Sequence, residues 1–459
     1  MDVQTFIDPQ LPRADLVVLH NLLEDIAQSK APKSESVEDL GYVSQSCSDD
    51  ETSKTVELNG TTPADALHGR DSKDITQLRA YNDPEHEEFE PTVFSSWDLS
   101  TVQLPFGLNQ RVLYPYIRWA RSIARNQNDV IMVTHLILYF TTSVPSAFIL
   151  LFVRFSYLHG VIHSLVQVWY AGSYTLMMHQ HIHMRGILAK EYGWFDHAFP
   201  YITDPLHGHT WNSYYHHHVK HHHIEGNGPE DLSSTIRLQR DSVPDFLYYV
   251  GRFFFFVWLD LPLYFIKKGK TAMAMKTAFF ELSNYAFIYF MARYVNFRAS
   301  IFVFMIPLLM MRIGLMIGNW GQHAFVDEVD PDSDFRSSIT LIDVASNRYC
   351  YNDGYHTSHH LNPRRHWRDH PVSFLQQKNI YAKEGALVFR NIDYLMITFK
   401  LLAKDYTYLA KCLVPIGNQM GMTIPEIAAL LETKTRRFTE AEIQRKFNPK
   451  PTSQYLEKL

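Results

Sequence analysis

The stretch Val130–Val153, VIMVTHLILYFTTSVPSAFILLFV, holds 24 consecutive residues without a formal charge. As a helix it is long enough to cross the roughly 30 Å of hydrocarbon in a bilayer, so the chain is expected to be an integral-membrane protein. Arg154 closes the stretch, and a second, less apolar but uncharged run extends from Tyr157 to Met178. Together the two predict a tight membrane hairpin. Its second arm ends where a cluster of histidines begins.

Three further apolar stretches follow a polar interval: Phe246 to Ile266, Ala278 to Val295 and Ser300 to Gly318. If all three crossed the bilayer, the histidines before and after them would face opposite sides. One is therefore expected to lie at the interface. Arg252 and Asp260 make Phe246–Ile266 amphipathic and mark it for that place, since charges inside a span are costly unless they face protein or water.

The rest of the chain divides by composition. Residues 1–98 are acidic and Ser/Thr-rich, with runs such as SQSCSDDETSKT, and read as mostly disordered. A short amphipathic helix over Ala14–Ala27 is the exception, marginal without a partner and carrying no functional weight. Residues 99–395 read as the membrane-embedded domain and 396–459 as a charged, helical tail. The fold class expected is all-α: a membrane helical bundle under a cytosolic helical cap. The mean hydropathy of -0.19 averages the polar and apolar parts and hides both.

Net charge is -5 with no long basic tract, which gives nucleic acid nothing to bind. The three cysteines, Cys47, Cys350 and Cys412, are odd in number and far apart, so they build neither a disulfide framework nor a CxxC metal site. The histidines accordingly face the cytosol or another reducing compartment. No charged segment followed by an apolar one opens the sequence in the manner of a cleaved signal peptide.

Histidine is the anomaly of the composition. There are 24, and twelve of them lie between His179 and His223. Four places set a histidine four residues from another histidine or an amide: His179 and His183, His218 and His222, Asn319 and His323, His356 and His360. On a helix such positions share one face, so each pair offers a metal two groups from one rigid element. Nine imidazoles result if the first cluster gives two, the second and last three each, and His323 one. That exceeds the four ligands of a zinc site and suits two irons with four or five imidazoles each. Within HHHVKHHH the spacing alone leaves two registers open: His218, His221, His222 or His218, His222, His223. Each cluster lies next to the end of an apolar stretch or in the polar segment that follows one, which puts the dinuclear site at the membrane surface with substrate entering from lipid.

At these residues the chain resembles the membrane-bound fatty acid desaturase superfamily, and most of all its alkane hydroxylase branch. The HxxxH box is similar to His179–His183 and the HxxHH box to His356, His359 and His360. The hydroxylase second box, HxxxHH followed by Pro-Glu-Asp, matches His218, His222 and His223 with Pro229-Glu230-Asp231, which selects the second register. A further box, Asn-Tyr-x-Glu-His, is mirrored by Asn319-Trp320-Gly321-Gln322-His323. The resemblance covers roughly residues 130 to 370. It implies two iron ions (Fe2+/Fe3+) held by His179, His183, His218, His222, His223, His323, His356, His359 and His360, with O2 as co-substrate. It also implies that Asn319 contacts iron through water and that Asp231, with Glu230, supports the ligands. The chain departs from the hydroxylases at Gln180 and Gln322, where a neutral amide replaces the carboxylate that would support a ligand histidine.

The implied activity is desaturation or hydroxylation of a fatty acyl chain or another long hydrophobic substrate, in the endoplasmic reticulum membrane with the boxes on its cytosolic face. Neither an HPGG haem-binding segment nor a GxGxxG fingerprint occurs. Electrons are thus expected from a separate donor, cytochrome b5 or a ferredoxin-type carrier with its reductase. His181, His216, His217 and His221 read as neighbours of the site, and His135, His159 and His163 as packing residues of the hairpin. The run Phe253–Phe256 reads as lipid-facing or core. A rival reading is a His-rich membrane metal transporter or metal-binding protein, against which stands the position of the ligands outside the spans. A scaffold that keeps the ligands without turnover is a third.

Overall fold

The computed structural model describes residues 6–9, 11–30, 63–94, 97–102, 104–210 and 212–447. It is mostly helix, with two small two-stranded sheets among the described residues. Three segments are long and apolar enough to cross a membrane: Val130–Val153, Val243–Lys267 and Phe297–Gln322.

The first span runs through Val130–Thr141, Ser143–Phe148 and a π-helical turn at Ile149–Val153. The break near Thr142 falls where Pro145 has no N–H to continue the ladder. After the turn, Ser156 accepts a hydrogen bond from His159 N and starts the 28-residue helix Tyr157–Met184. That helix stops in a left-handed residue, Arg185 (φ 58°), two positions after His183. The strand of backbone beyond is held by Asp196, whose carboxylate accepts from Ile187 N and Leu188 N.

Val243–Lys267 starts on a Ser242 cap with Pro244 in its first turn. Near its start Tyr249 donates to Ser233 O at 3.2 Å, and near its end Tyr264 donates to Glu225 at 2.5 Å. Both ends therefore touch one loop, residues 225–233, and the helix lies along it instead of leaving it. Arg252 pairs with Asp260 on the outer face. Thr271–Phe290 then leads away from the site layer, turns at Asn296 and returns through Phe297–Gln322 to His323. Glu281 and Arg312 staple these antiparallel arms at 2.7 Å.

Above the bundle, Ile339–Ile342 pairs in parallel with Leu387–Arg390, and every residue of both strands is buried. Trp320, Phe325, Leu341 and Phe389 belong to the core at this end. Gly321 makes the close approach to the following helix possible, because a Cβ there would collide with Tyr394 O.

The chain through residue 98 differs from the expectation of disorder. Most of the Ser/Thr-rich run, 31–62, lies outside the described residues, but Arg13–Lys30 and Pro63–Asn82 are helices. Val18, Leu19 and Leu22 are buried in one cluster with Phe374, Tyr381 and Val388. This distant apolar partner supplies what an isolated helix lacks. Lys378, 8 % exposed, fixes the junction by pairing with Asp25 and Asp71 at 2.7 Å each. The tail carries the helices Tyr394–Leu402, Tyr406–Cys412, Ile424–Thr433 and Glu440–Phe447, and it packs back on the cap through Leu401, Leu409 and Leu431.

Candidate metal centre

Each histidine cluster is presented by a different local device. His179 and His183 sit one turn apart at the end of the Tyr157–Met184 helix. The second cluster opens as Ser213–His217 in α-helix and passes into a π-helical turn over His218–His222. His323 is the residue that ends Ile306–Gln322, and His356–Leu361 is a short helix launched from Tyr355.

All nine expected ligands converge, in two sets. His179, His183, His218, His223 and His359 form one, and His222, His323, His356 and His360 the other, with all ligand atoms in a set within 4.8 Å of one another. Within the first set Nε2 of His218 lies 2.8 Å from that of His179 and 3.1 Å from that of His223, and His359 Nε2 is 2.9 Å from His223 Nε2. In the second, His356 Nε2 stands 3.3 Å from His323 and 3.1 Å from His360. Metal–nitrogen bonds of about 2.1 Å at right angles place adjacent donors about 3 Å apart, which is the spacing found. His183 Nε2 is buried with no partner among the described residues. Five and four imidazoles of this geometry fit a pair of metal ions.

The pairing within the second cluster differs from simple helical spacing. Four residues apart, His218 and His222 stack at 5.4 Å and belong to different sets. The π turn, with its wider i to i+5 repeat, brings His218 beside His223 instead. In the first and third clusters, where the backbone is α-helical, the i and i+4 residues do share a set.

Burial, followed by crowding from neighbouring imidazoles, pushes His218, His223, His356 and His359 well below the usual histidine range. Both effects favour the neutral ring, the form that binds a metal. Around them, His222 donates Nδ1–H to Asp231 at 2.7 Å and His323 donates to Ser337 O at 2.7 Å. His360 Nδ1 lies 3.4 Å from Asp334. Burial alone would raise the Asp231 carboxyl, but His222, His221 and Ser233 outweigh it and hold Asp231 ionised, far below the carboxylate range.

Of the other residues singled out in the sequence, Glu230 turns away to Lys267 and Lys268 and touches no ligand. The Asn319 amide donates to Ser233 O and to Tyr249 OH, tying its helix to the loop that holds Asp231, while its side chain borders the cavity described below. Gln322 donates to Asp353 at 3.1 Å. His181 donates to Asp196 O, His216 to Asn212 O, and His221 accepts from Leu232 N. In the hairpin, His159 and His163 both meet Ser146. Sequence reasoning missed Asp334, Ser337 and Asp15. Asp15 accepts from Tyr355 OH at 2.6 Å, next to His356, across 340 positions of chain.

A cavity of about 490 Å³ opens beside the metal sites. His179, His218, His222 and His356 form its head, and Val168, Leu261 and Met310 its apolar wall at the level of the bundle. Its size is that of a small-molecule site.

A helical bundle with three membrane-long apolar helices whose face carries nine convergent imidazoles defines a class: a membrane protein with two histidine clusters that could hold metal, beside a cavity. The fatty acid desaturase family profile matches residues 155–386, just over half of the chain, and the chain belongs to that family. No curated protein and no solved structure matches it. Membership makes it a membrane oxidoreductase of lipid metabolism, acting on fatty acyl chains, in a family that uses iron.

Proposed function

We propose that the protein uses O2 to oxidise an unactivated C–H bond of a long acyl or similarly apolar chain, desaturating or hydroxylating it. Two iron ions are held by the five- and four-histidine sets. The metal pair supplies the oxidising chemistry that side chains lack, and the chain's own groups do the rest. Neutral Nε2 atoms bind the metals, and Asp231 fixes the tautomer and orientation of His222 and raises its basicity. The cavity wall takes the substrate from lipid, excludes water and aligns one carbon with the head of the cavity. Asn319 keeps the Asp231 loop in register. Electrons come from a separate carrier, cytochrome b5 or a ferredoxin-type protein with its reductase, and the boxes face the cytosol from the endoplasmic reticulum membrane. The Pro229-Glu230-Asp231 segment behind the second box supports placement near the alkane hydroxylases.

What carries this reading is the division of nine imidazoles into two compact sets with ligand-like Nε2 spacings. The full-length protein, purified in detergent, is expected to hold about two iron ions per chain when two dinuclear-type positions are filled. His222→Ala and His359→Ala each lose metal and product formation together, read by elemental analysis and by mass spectrometry of lipids from cells expressing each form. Full turnover in either variant would falsify the assignment, and metal flux without any lipid product would favour transport.

A further inference from the structure

The cavity is not uniformly apolar. Arg312, midway along the returning helix, and Glu281, on the outgoing helix Thr271–Phe290, both line it, 8 % and 2 % exposed, joined at 2.7 Å. Thr210 donates to Glu281, and Ser213 borders the same wall. His209, 5 % exposed, lines it too, and its Nε2 has no partner among the described residues. The guanidinium donates to Glu281 and to Phe254 O and lies beside Tyr285, whose hydroxyl donates to the same carboxylate at 2.7 Å, while such a group carries five N–H donors.

A pair serving only to staple two helices is best placed in the seam between them, shielded from any ligand. Here ionised groups at bundle depth, expensive to keep there, face the space a substrate chain would occupy. A buried ring nitrogen without a partner faces it as well, and such an atom is costly until something bonds to it. We infer that the cavity recognises a chain bearing a hydroxyl along its length, which bonds to the Arg312, Glu281 and His209 cluster while the chain's reacting carbon lies at the histidines. Arg312 and Glu281 sum to zero charge, so the cluster suits a neutral group and not a free carboxylate. A hydroxyl accepts from the guanidinium and donates to the carboxylate or to the imidazole. Arg312 precedes His323 by eleven residues, about 16 Å of helix, and His209 reaches the metal ligand His218 only through Tyr214, at ring distances of 4.9 and 5.4 Å. The oxygen substituent is therefore several carbons from the oxidised one and fixes which carbon is presented.

This inference rests on the reading of the cavity as an acyl site. The test measures equilibrium binding of radiolabelled methyl oleate and methyl ricinoleate, which differ by one mid-chain hydroxyl, to the full-length protein in detergent. Methyl ricinoleate is expected to bind about tenfold more tightly, about 1.4 kcal/mol. The paired change Arg312→Met with Glu281→Gln leaves no lone buried charge and is expected to reduce the preference to about twofold or less with methyl oleate binding retained. His209→Phe keeps the ring against Tyr214, removes the nitrogen and weakens the preference, and it carries the test if the paired variant does not fold. Equal binding of the two esters, or a preference that survives both variants, overturns the inference and leaves the oxidative reading standing. If neither ester binds, the acyl-site reading falls, and this inference with it.

Discussion

Asp231 governs how His222 presents its ring, and its own charge is set by the same contact. Asp231→Asn keeps the shape and an acceptor but removes the negative charge, so iron affinity of the four-histidine set is expected to fall about 10–100-fold, measured by chelator competition. A second buried carboxyl acts on stability. Burial, only partly offset by Tyr355 and Asn347, raises Asp15 from 3.8 to about 6. The folded chain thus keeps a proton up to about pH 6 that the unfolded chain releases near 3.8. The stability Asp15 contributes is full below 3.8 and is lost as pH rises through about 6, at most about 3 kcal/mol. Asp15→Asn is expected to flatten the melting temperature between those values and to raise it at neutral pH. The nine histidines were legible in the sequence because metal binding demands both a residue type and a spacing. Ser337 was not, since it acts through its carbonyl oxygen, and Asp334 was hidden in the acidic run DPDSD.

Among elements, the π turn at His218–His222 decides which imidazole joins which set. Nothing in HHHVKHHH distinguishes an α turn from a π turn, since the sequence carries the side chains but not the hydrogen-bond register. Helical spacing groups His179 with His183 and His356 with His360, as the structure does, and His218 with His222, where the structure sets His218 beside His223. The amphipathic pattern of Val243–Lys267 was readable from Arg252 and Asp260, whereas its two tyrosine tethers were not, because their acceptors lie on a loop without periodicity. At the returning helix, Gly321 is the position where packing tolerates no side chain. Gly321→Ala is expected to force His323 and the Tyr394 helix apart at about 1–3 kcal/mol of stability. A drop in melting temperature accompanied by lower iron content of the four-histidine set would register this. Unchanged values in both would refute the close approach.

At the scale of the whole molecule, segments from both ends of the chain pack into the cap beside the histidine sets. The Arg13–Lys30 helix was visible as a weak amphipathic pattern, but its partners, Tyr355 and Lys378, are more than 330 residues away, beyond the reach of local periodicity. Deletion of residues 1–30 is expected to lower the melting temperature and to loosen iron held by the His356 cluster first, followed by heating with elemental analysis. The arrangement of hairpins also fixes sidedness. In a background without Cys47, Cys350 and Cys412, cysteines placed at Lys190 and Lys268 are expected to react with an impermeant maleimide from one side of sealed vesicles. Those at Arg154 and Arg298 react from the other. Labelling of Lys268 from the Arg154 side would mean that Val243–Lys267 crosses after all.

His222 and His223 are neighbours in the chain yet serve different sets, and so are His359 and His360. Two covalent bridges thereby yoke the centres, so that a peptide plane rotating to suit one ion must turn the ring offered to the other. Ions loaded one at a time would not arrive independently: the first to bind would preset the pocket for the second, and titration with iron should be steeper than two separate sites allow.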